Sequence, residues 1–394
     1  MVRIEGDAIT KHDWTQWLAR QDDAGLTRRL RVADSPQGPR MRIDGREQRI
    51  FCSNDYLGLA DDPRLAEAMH RGVERYGVGA GAAHLINGHF TPHQRLEEEL
   101  AAWLATDSVR LFSTGYMANL GVVGALMGRG DTVIADRLNH ASLVDAVQLS
   151  GARLSRYRHG DLEDLERRLS TAPGERMILT DGVFSMDGDI APLDDLVALA
   201  ERFDAWLVVD EAHAFGVLGE QGRGSFEAAG IAAGERVLRV GTLGKAFGTA
   251  GAFVAGAVEP MAVLLQRART YLFTTAQPPA VAEASRAALS IVRQEGWRRD
   301  RLRTLVDGFR QGASELPGIE PMTSSTPIQP LLVGDSARAV GMADRLGEAG
   351  FMVPAIRPPT VPRGSARLRV TLSAAHSDED LQALIGALAE LVYS

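Results

Sequence analysis

Apolar residues change their spacing along this chain, and the changes mark out its elements. Residues 7–23 carry them at helical intervals, which predicts an amphipathic helix. Two short runs that alternate apolar and polar positions, MRI and QRIFC, then flank Asp44-Gly45, the signature of a hairpin closed by a type I′ turn. From about residue 62 helical patterns alternate with short β-rich runs: VRLF (109–112), TVIA (132–135), RLSRY (153–157), MILT (177–180), AWLVVD (205–210), VLRVGT (237–242) and GAFVAG (251–256). Runs that are apolar throughout and separated by helices predict an α/β fold with a mostly parallel sheet covered on both faces. Thr91, Pro92 and Gln94 fit an N-cap, a proline at the first helical position and a capping-box partner ahead of LEEELAAWLA. A helical stretch over about 277–315 leads into strand IQPLLV, helix SARAVGMADRLGEAG, strand FMVPAI, a proline-rich loop, strand ARLRVTLS and a closing helix. The expected organisation is an N-terminal segment (1–55), a large domain (56–295) and a smaller α+β domain (296–394). The pattern leaves open whether the N-terminal hairpin joins the small domain.

Composition narrows the functional classes. The 394 residues are 45% hydrophobic, enough for a substantial core. No stretch approaches 18 consecutive apolar residues, and the N-terminus lacks the apolar core of a signal peptide, so a cytoplasmic protein with no membrane partner is expected. The one cysteine, Cys52, cannot form an internal bridge. A net charge of −8 without a basic tract argues against nucleic-acid binding.

The 43 basic residues divide unevenly: only Lys11 and Lys245 are lysines. A basic position that tolerates arginine would almost always hold it here, so a retained lysine marks a place where a primary amine is required. Lys245 lies just past a β-run, with glycines at 241, 244, 248 and 251 that let backbone approach a ligand. A primary amine can form a Schiff base with a carbonyl, which a guanidinium cannot. Lys11, in a polar N-terminal stretch, fits a solvated surface charge.

Other candidates follow the ends of the predicted strands, where open α/β sheets place ligands. AWLVVD ends in Asp210, with His213 three residues on. A buried strand-end carboxylate needs a positive partner, and the ring nitrogen of pyridoxal phosphate supplies one. FSTGY, between VRLF and a helical pattern, puts the amides of Gly115 and Tyr116 at a helix N-terminus, where a phosphate is favoured. His140 follows TVIA, placed to stack on a planar ring, and Ser185 follows MILT. Competing motifs fail on context. GVGAGAAHLING follows a helical pattern, not a strand, and GTLGK lacks the spacing and hydroxyl of a nucleotide-binding loop. His89 and His93 are four apart with Pro92 between them and no third ligand near, so no metal site is expected.

These blocks, with FCSNDYLGL, HQRLEEELA, ADRLNHASLVDA, GVFSMDGDIAPL, VVDEAH, GEQGRGS, TLGKAFG and RPPTVPRGSARLRVTLSAAH, resemble the α-oxoamine synthases of pyridoxal-phosphate fold type I over nearly the whole chain. The resemblance implies a pyridoxal 5′-phosphate cofactor and decarboxylative condensation of an amino acid with an acyl thioester. RPPTVP and IQPLLVGD point to the members that use L-alanine and a pimeloyl thioester, on coenzyme A or an acyl carrier protein; the alternative is a sister enzyme using glycine and another acyl-CoA. By the same resemblance Lys245 matches the Schiff-base lysine, Asp210 the pyridinium partner, His213 the residue near the phenolic oxygen and His140 the stacking histidine. Ser185 and Thr242 match cofactor contacts, and Gly115 and Tyr116 the phosphate amides. Thr274 or Thr275 matches the segment reaching a phosphate across a homodimer interface. Arg28 and Thr360 correspond to acyl contacts, Asn54 and Arg369 to holders of a carboxylate. Arg367 shares a strand face with Arg369, and the choice between them rests on the resemblance alone. Where relatives carry a small-Gly-Gly-Ser-Arg type loop, this chain has GAGAAH at 79–84.

Overall fold

In a computed structural model the described residues are 13–23, 27–28, 30–358 and 360–393. Of the expected first helix, Trp14–Asp23 (α1) is described, with no buried side chain; Lys11 and the rest of 7–12 lie outside the described residues. The hairpin forms as expected, β1 (Arg40–Ile43) against β2 (Arg46–Ile50), with Asp44 and Gly45 at φ 50° and 77° as a type I′ turn requires.

Helix α2 (Pro63–Tyr76) starts on Asp62, whose carboxylate accepts the amide of Arg64, and ends at Gly77 in a positive-φ conformation. Helix α3 (Thr91–Leu104) departs from expectation at its first turn. Thr91 lies inside the helix and Phe90 is the N-cap; because Phe90 has no acceptor, the capping bond runs from its own amide to His93 Nδ1, 3.0 Å away.

Seven strands build the central sheet: β3 (Ser108–Phe112), β4 (Thr132–Asp136), β5 (Arg153–Tyr157), β6 (Arg176–Asp181), β7 (Trp206–Asp210), β8 (Val237–Thr242) and β9 (Ala252–Gly256). Their order is β3-β9-β8-β7-β6-β4-β5, all parallel except β9, which is antiparallel to both neighbours. Every residue of β4 and β9 is buried, which is why the run-like apolar pattern could be read as covered strands. Between β3 and β4 lies α4 (Gly115–Leu126), and between β4 and β5 lies α5 (Ala141–Ser150). Helices over Pro279–Gln294 and Trp297–Ser314 lead away from the sheet.

The C-terminal part carries β10 (Glu320–Pro321), β11 (Ile328–Gly334), β12 (Phe351–Met352), β13 (Ala355–Ile356) and β14 (Ala366–Thr371). One expectation is corrected here: FMVPAI is not one strand. Pro354 interrupts it, so Phe351–Met352 joins β2 in parallel while Ala355–Ile356 joins the β10-β11-β14-β13 sheet. The first of these pairings settles what the pattern left open, since the N-terminal hairpin is completed by a strand of the C-terminal part. Among the described residues no helix is long and apolar enough to cross a membrane.

Candidate active site

Parallel strands deliver their last residues to one rim of the sheet, and most of the candidate chemistry stands there. Asp210 ends β7 and is 6% exposed. Asn119 of α4 donates to its Oδ2 at 2.7 Å and the Ala212 amide to its Oδ1 at 3.0 Å, so the carboxylate is oriented before any ligand arrives. Asp181, opposite it at the end of β6, is fully buried; burial, and then the nearness of Asp210, push its carboxyl well above the usual range. Asp181 accepts the His140 amide at 2.9 Å. This fixes the start of α5, where His140 is the N-cap with its ring bonded to the Ser142 hydroxyl at 2.7 Å.

Lys245 sits in the loop joining β8 and β9. That loop closes on itself through Leu243 to Gly251 and Thr249 to Leu243 backbone bonds, both 2.9 Å. Gly248, at φ 67°, presses so close to Leu59 and Ala60 that a Cβ would fall 2.5 Å from backbone, so only glycine fits. This contact ties the lysine loop to the segment carrying Asn54 and Tyr56. Lys245 Nζ lies 2.8 Å from His213 Nε2, and the other ring nitrogen lies 2.5 Å from the Tyr56 hydroxyl, which is 3.2 Å from Asn54 Oδ1. Burial lowers the Lys245 ammonium to about 8, with Arg369 adding to the shift and Asp210 and Asp181 opposing it. His213 is held well below the normal imidazole range by burial, then by Lys245 and Arg369, so it is neutral and its two bonds have a direction. With the lysine donating to Nε2, Nδ1 carries the proton toward Tyr56.

Arg369 closes the far side. Its Nε donates to the Ser185 carbonyl at 2.6 Å, Nη1 to Thr371 Oγ1 at 2.9 Å and Nη2 to Asn54 Oδ1 at 3.4 Å. These acceptors are all neutral, and the residue is 6% exposed. Arg367, on the same face, is paired with Asp187. Of these two neighbouring guanidiniums on β14, then, Arg369 is the one with no carboxylate partner among the described residues, and burying such a charge is costly unless an anion meets it.

The remaining candidates are distributed as follows. Thr114 caps α4 by accepting the Met117 amide at 3.1 Å, leaving the amides of Gly115 and Tyr116 without intrahelical partners. A Cβ on Gly115 would meet nothing within 4 Å, so open space lies before this helix end. Thr242 Oγ1 accepts the Gly244 amide and donates to the Gly251 carbonyl, both at 3.2 Å. Ser185 meets Arg369 through its carbonyl. Thr275 is exposed and its carbonyl accepts from Ser113 at 3.4 Å, just ahead of Gly115, with Thr274 half-buried beside it. Arg28 and Thr360 are exposed, on the N-terminal segment and the proline-rich loop. Sequence reasoning missed Tyr56, Asn119 and Asp181. Asp181 was findable as the residue after MILT, and Tyr56 lies two residues from Asn54 in FCSNDYLGL; Asn119, an uncharged residue inside a helix, has no comparable mark.

The residues present fit pyridoxal phosphate: an oriented carboxylate, an amine whose ammonium burial lowers to about 8, and a helix end with open space and two free amides. Comparison with known proteins agrees. A family model for aminotransferase class I and II matches residues 46–388. The chain is 57% identical over 373 residues to an 8-amino-7-oxononanoate synthase of Thioalkalivibrio sulfidiphilus, covering 94% of this chain and 95% of that one. It superimposes with a TM-score of 0.91 on serine palmitoyltransferase from S. paucimobilis with bound PLP–myriocin aldimine, at 31% identity and 98% coverage of both chains. The 8-amino-7-oxononanoate synthase of Francisella tularensis gives 0.76 at 31% identity, covering 88% of this chain and 98% of that one. By sequence and by fold, the chain belongs to the aminotransferase class I and II family.

Proposed function

We propose that this protein uses pyridoxal phosphate to condense L-alanine with a pimeloyl thioester, releasing carbon dioxide and the free carrier and forming 8-amino-7-oxononanoate for biotin synthesis. The observation that carries this is the Lys245–His213 pair at the same strand-end rim as the oriented Asp210, with an Arg369 that no carboxylate meets, in a chain 57% identical to a synthase of that name.

When bound, pyridoxal phosphate supplies an aldehyde carbon that an amine can attack and a protonated ring that draws electron density from the amino acid's α-carbon. Asp210, held by Asn119, would pair with the ring nitrogen. The amides of Gly115 and Tyr116 would hold the phosphate, with Thr274 or Thr275 of a partner copy. His140 would stack on the ring, and Ser185, Thr242 and His213 would complete the residues that hold the cofactor. Lys245 Nζ, pushed down to about 8, is partly neutral near pH 7.5 and takes and returns the α-proton, sharing it with His213 Nε2. Arg369 and Asn54 would hold the amino-acid carboxylate, and Arg28 and Thr360 would meet the acyl chain.

A homodimer is part of this reading, supported by the exposed apolar side chains Leu85, Ile86 and Phe273, as is a cytoplasmic location. Residues 1–55, 56–295 and 296–394 are proposed as the working units, the first joined to the third through β2 and β12. The test is turnover of alanine and glycine against pimeloyl-, acetyl-, succinyl- and long-chain acyl-CoA. Product with alanine and the pimeloyl thioester is expected; product with glycine and another thioester alone would transfer the protein to a sister activity.

A further inference from the structure

The fold brings a third imidazole, His84, beside His89 and His93. The turn at 84–88 folds back on the start of α3, placing the His84 ring 5.1 Å from each of His89 and His93, which are 5.7 Å apart. One nitrogen from each of the three lies within 4.8 Å of the others.

The hydrogen bonds around the cluster orient the rings. His89 Nε2 faces Gln94 Oε1 at 3.2 Å, and His93 Nε2 faces the Gln277 carbonyl at 2.9 Å. A ring nitrogen facing an oxygen acceptor carries the proton, so Nδ1 of each keeps its lone pair. Metal-bound imidazoles are held in this way, with the second N–H donated to a carbonyl or similar oxygen. His84 Nδ1 stands 2.8 Å from His89 Nδ1, and His93 Nδ1 accepts the Phe90 amide. Three nitrogens bound at about 2.0–2.1 Å in a tetrahedral shell stand roughly 3.3–3.4 Å apart. Small side-chain rotations reach that spacing from the present one, with His93 exchanging its Phe90 bond for the ion.

We propose that His84, His89 and His93 form a site for a divalent transition metal of the zinc class, which clasps the 84–88 turn to α3. The site is separate from the strand-end cluster and does not depend on the activity proposed above. The fourth position opens on the half-exposed His89 side, where water completes the shell. Three contacts join the cluster to residues 271–277: His84 stacks on Tyr271 at 4.9 Å, His93 holds the Gln277 carbonyl, and the Ala276 amide donates to the Ala82 carbonyl at 3.0 Å. A bound ion therefore braces the segment that carries Thr274 and Thr275.

The experiment is calorimetric titration of zinc chloride into chelator-treated holoenzyme. One ion per chain is expected, with Kd below about 10 μM. His89→Ala, at a half-exposed position where folding is not at risk, is expected to weaken binding at least tenfold, and His84→Ala likewise. His70→Ala, on the exposed face of α2, is expected to leave it unchanged. Zinc should raise the melting temperature of the wild type and of His70→Ala but not of His89→Ala. Absence of stoichiometric binding to the wild type overturns the proposal, as does binding that survives His89→Ala undiminished.

Discussion

His159 and His213 both sit at the carboxyl rim of the central sheet, one just past β5 and the other just past β7, yet they are driven in opposite directions. At His159 burial pulls the pKa down, but Asp136 at 3.0 Å on Nδ1 and Asp189 at 2.8 Å on Nε2 outweigh it and raise the ring to about 10. His213 is buried between an amine and a phenol with no carboxylate in contact, and burial wins. Burial alone therefore does not say whether a rim histidine is a cation or a neutral relay; its hydrogen-bond partners do. The charged ring at His159 ties β4 to the loop after β6, where Phe184 also packs edge-on against it at 4.5 Å, and that loop carries Ser185. His159 is thus a fastener for the rim, while His213 belongs to its moving proton.

The strongest break in this comparison is at the amine. Lys245→Arg keeps the charge and loses the transferable proton and the nucleophile, so turnover is expected to fall by about 10³-fold or more, with no borohydride-reducible visible absorbance. A variant that still showed that absorbance would remove Lys245 from the site. In the unloaded wild type, the rate of acetylation at Lys245 should rise with pH through a midpoint near 8.

Arg369→Gln and Arg367→Gln should separate. Removing the unpaired guanidinium forfeits charge-assisted bonds of about 1.5–3 kcal/mol, which is roughly 10- to 150-fold in kcat/KM for alanine. Arg367→Gln instead leaves the half-buried Asp187 without its partner, so its loss should appear in the melting temperature. Equal effects of the two on alanine kinetics would mean that the pairing with Asp187 does not distinguish them.

His159→Asn tests the fastener. A His pKa raised in the fold adds stability that is complete below the unfolded value of about 6.5 and fades as pH rises through about 10. The variant should be less stable than wild type by about 1–3 kcal/mol near pH 6, and the gap in denaturation midpoint should close toward pH 10. His213 has the opposite sign: its lowered pKa gives stability that is present above about 6.5 and is lost as pH falls below it. The smallest effect is expected from Tyr56→Phe, which removes the partner of His213 Nδ1. A shift in the Lys245 acetylation midpoint, with turnover down about 3- to 10-fold, would mark Tyr56 as a positioning residue; an unmoved midpoint would reduce it to packing.

Much of this was legible in the sequence, for reasons that differ from residue to residue. The parallel sheet was readable because covered strands must be apolar throughout, and Asp44-Gly45 because few pairs adopt positive φ twice. Lys245 stood out because the chain otherwise uses arginine, and Asp210 because it ends a buried strand. The cap at Thr91 was misread because the donor and acceptor that settled it belong to Phe90 and His93, three residues apart on a turn whose phase the pattern does not fix.

What the sequence determined by itself was the set of short-range facts: which runs are strands, where they end, and which amine is irreplaceable. Tertiary structure decided everything that depends on partners far apart in the chain. It pairs Arg367 with Asp187 and so leaves Arg369 for an anion, and gives His159 two carboxylates and His213 none. The physical reason is that charge and hydrogen-bond energies depend on distance in space and on burial, and neither is a function of spacing along the chain.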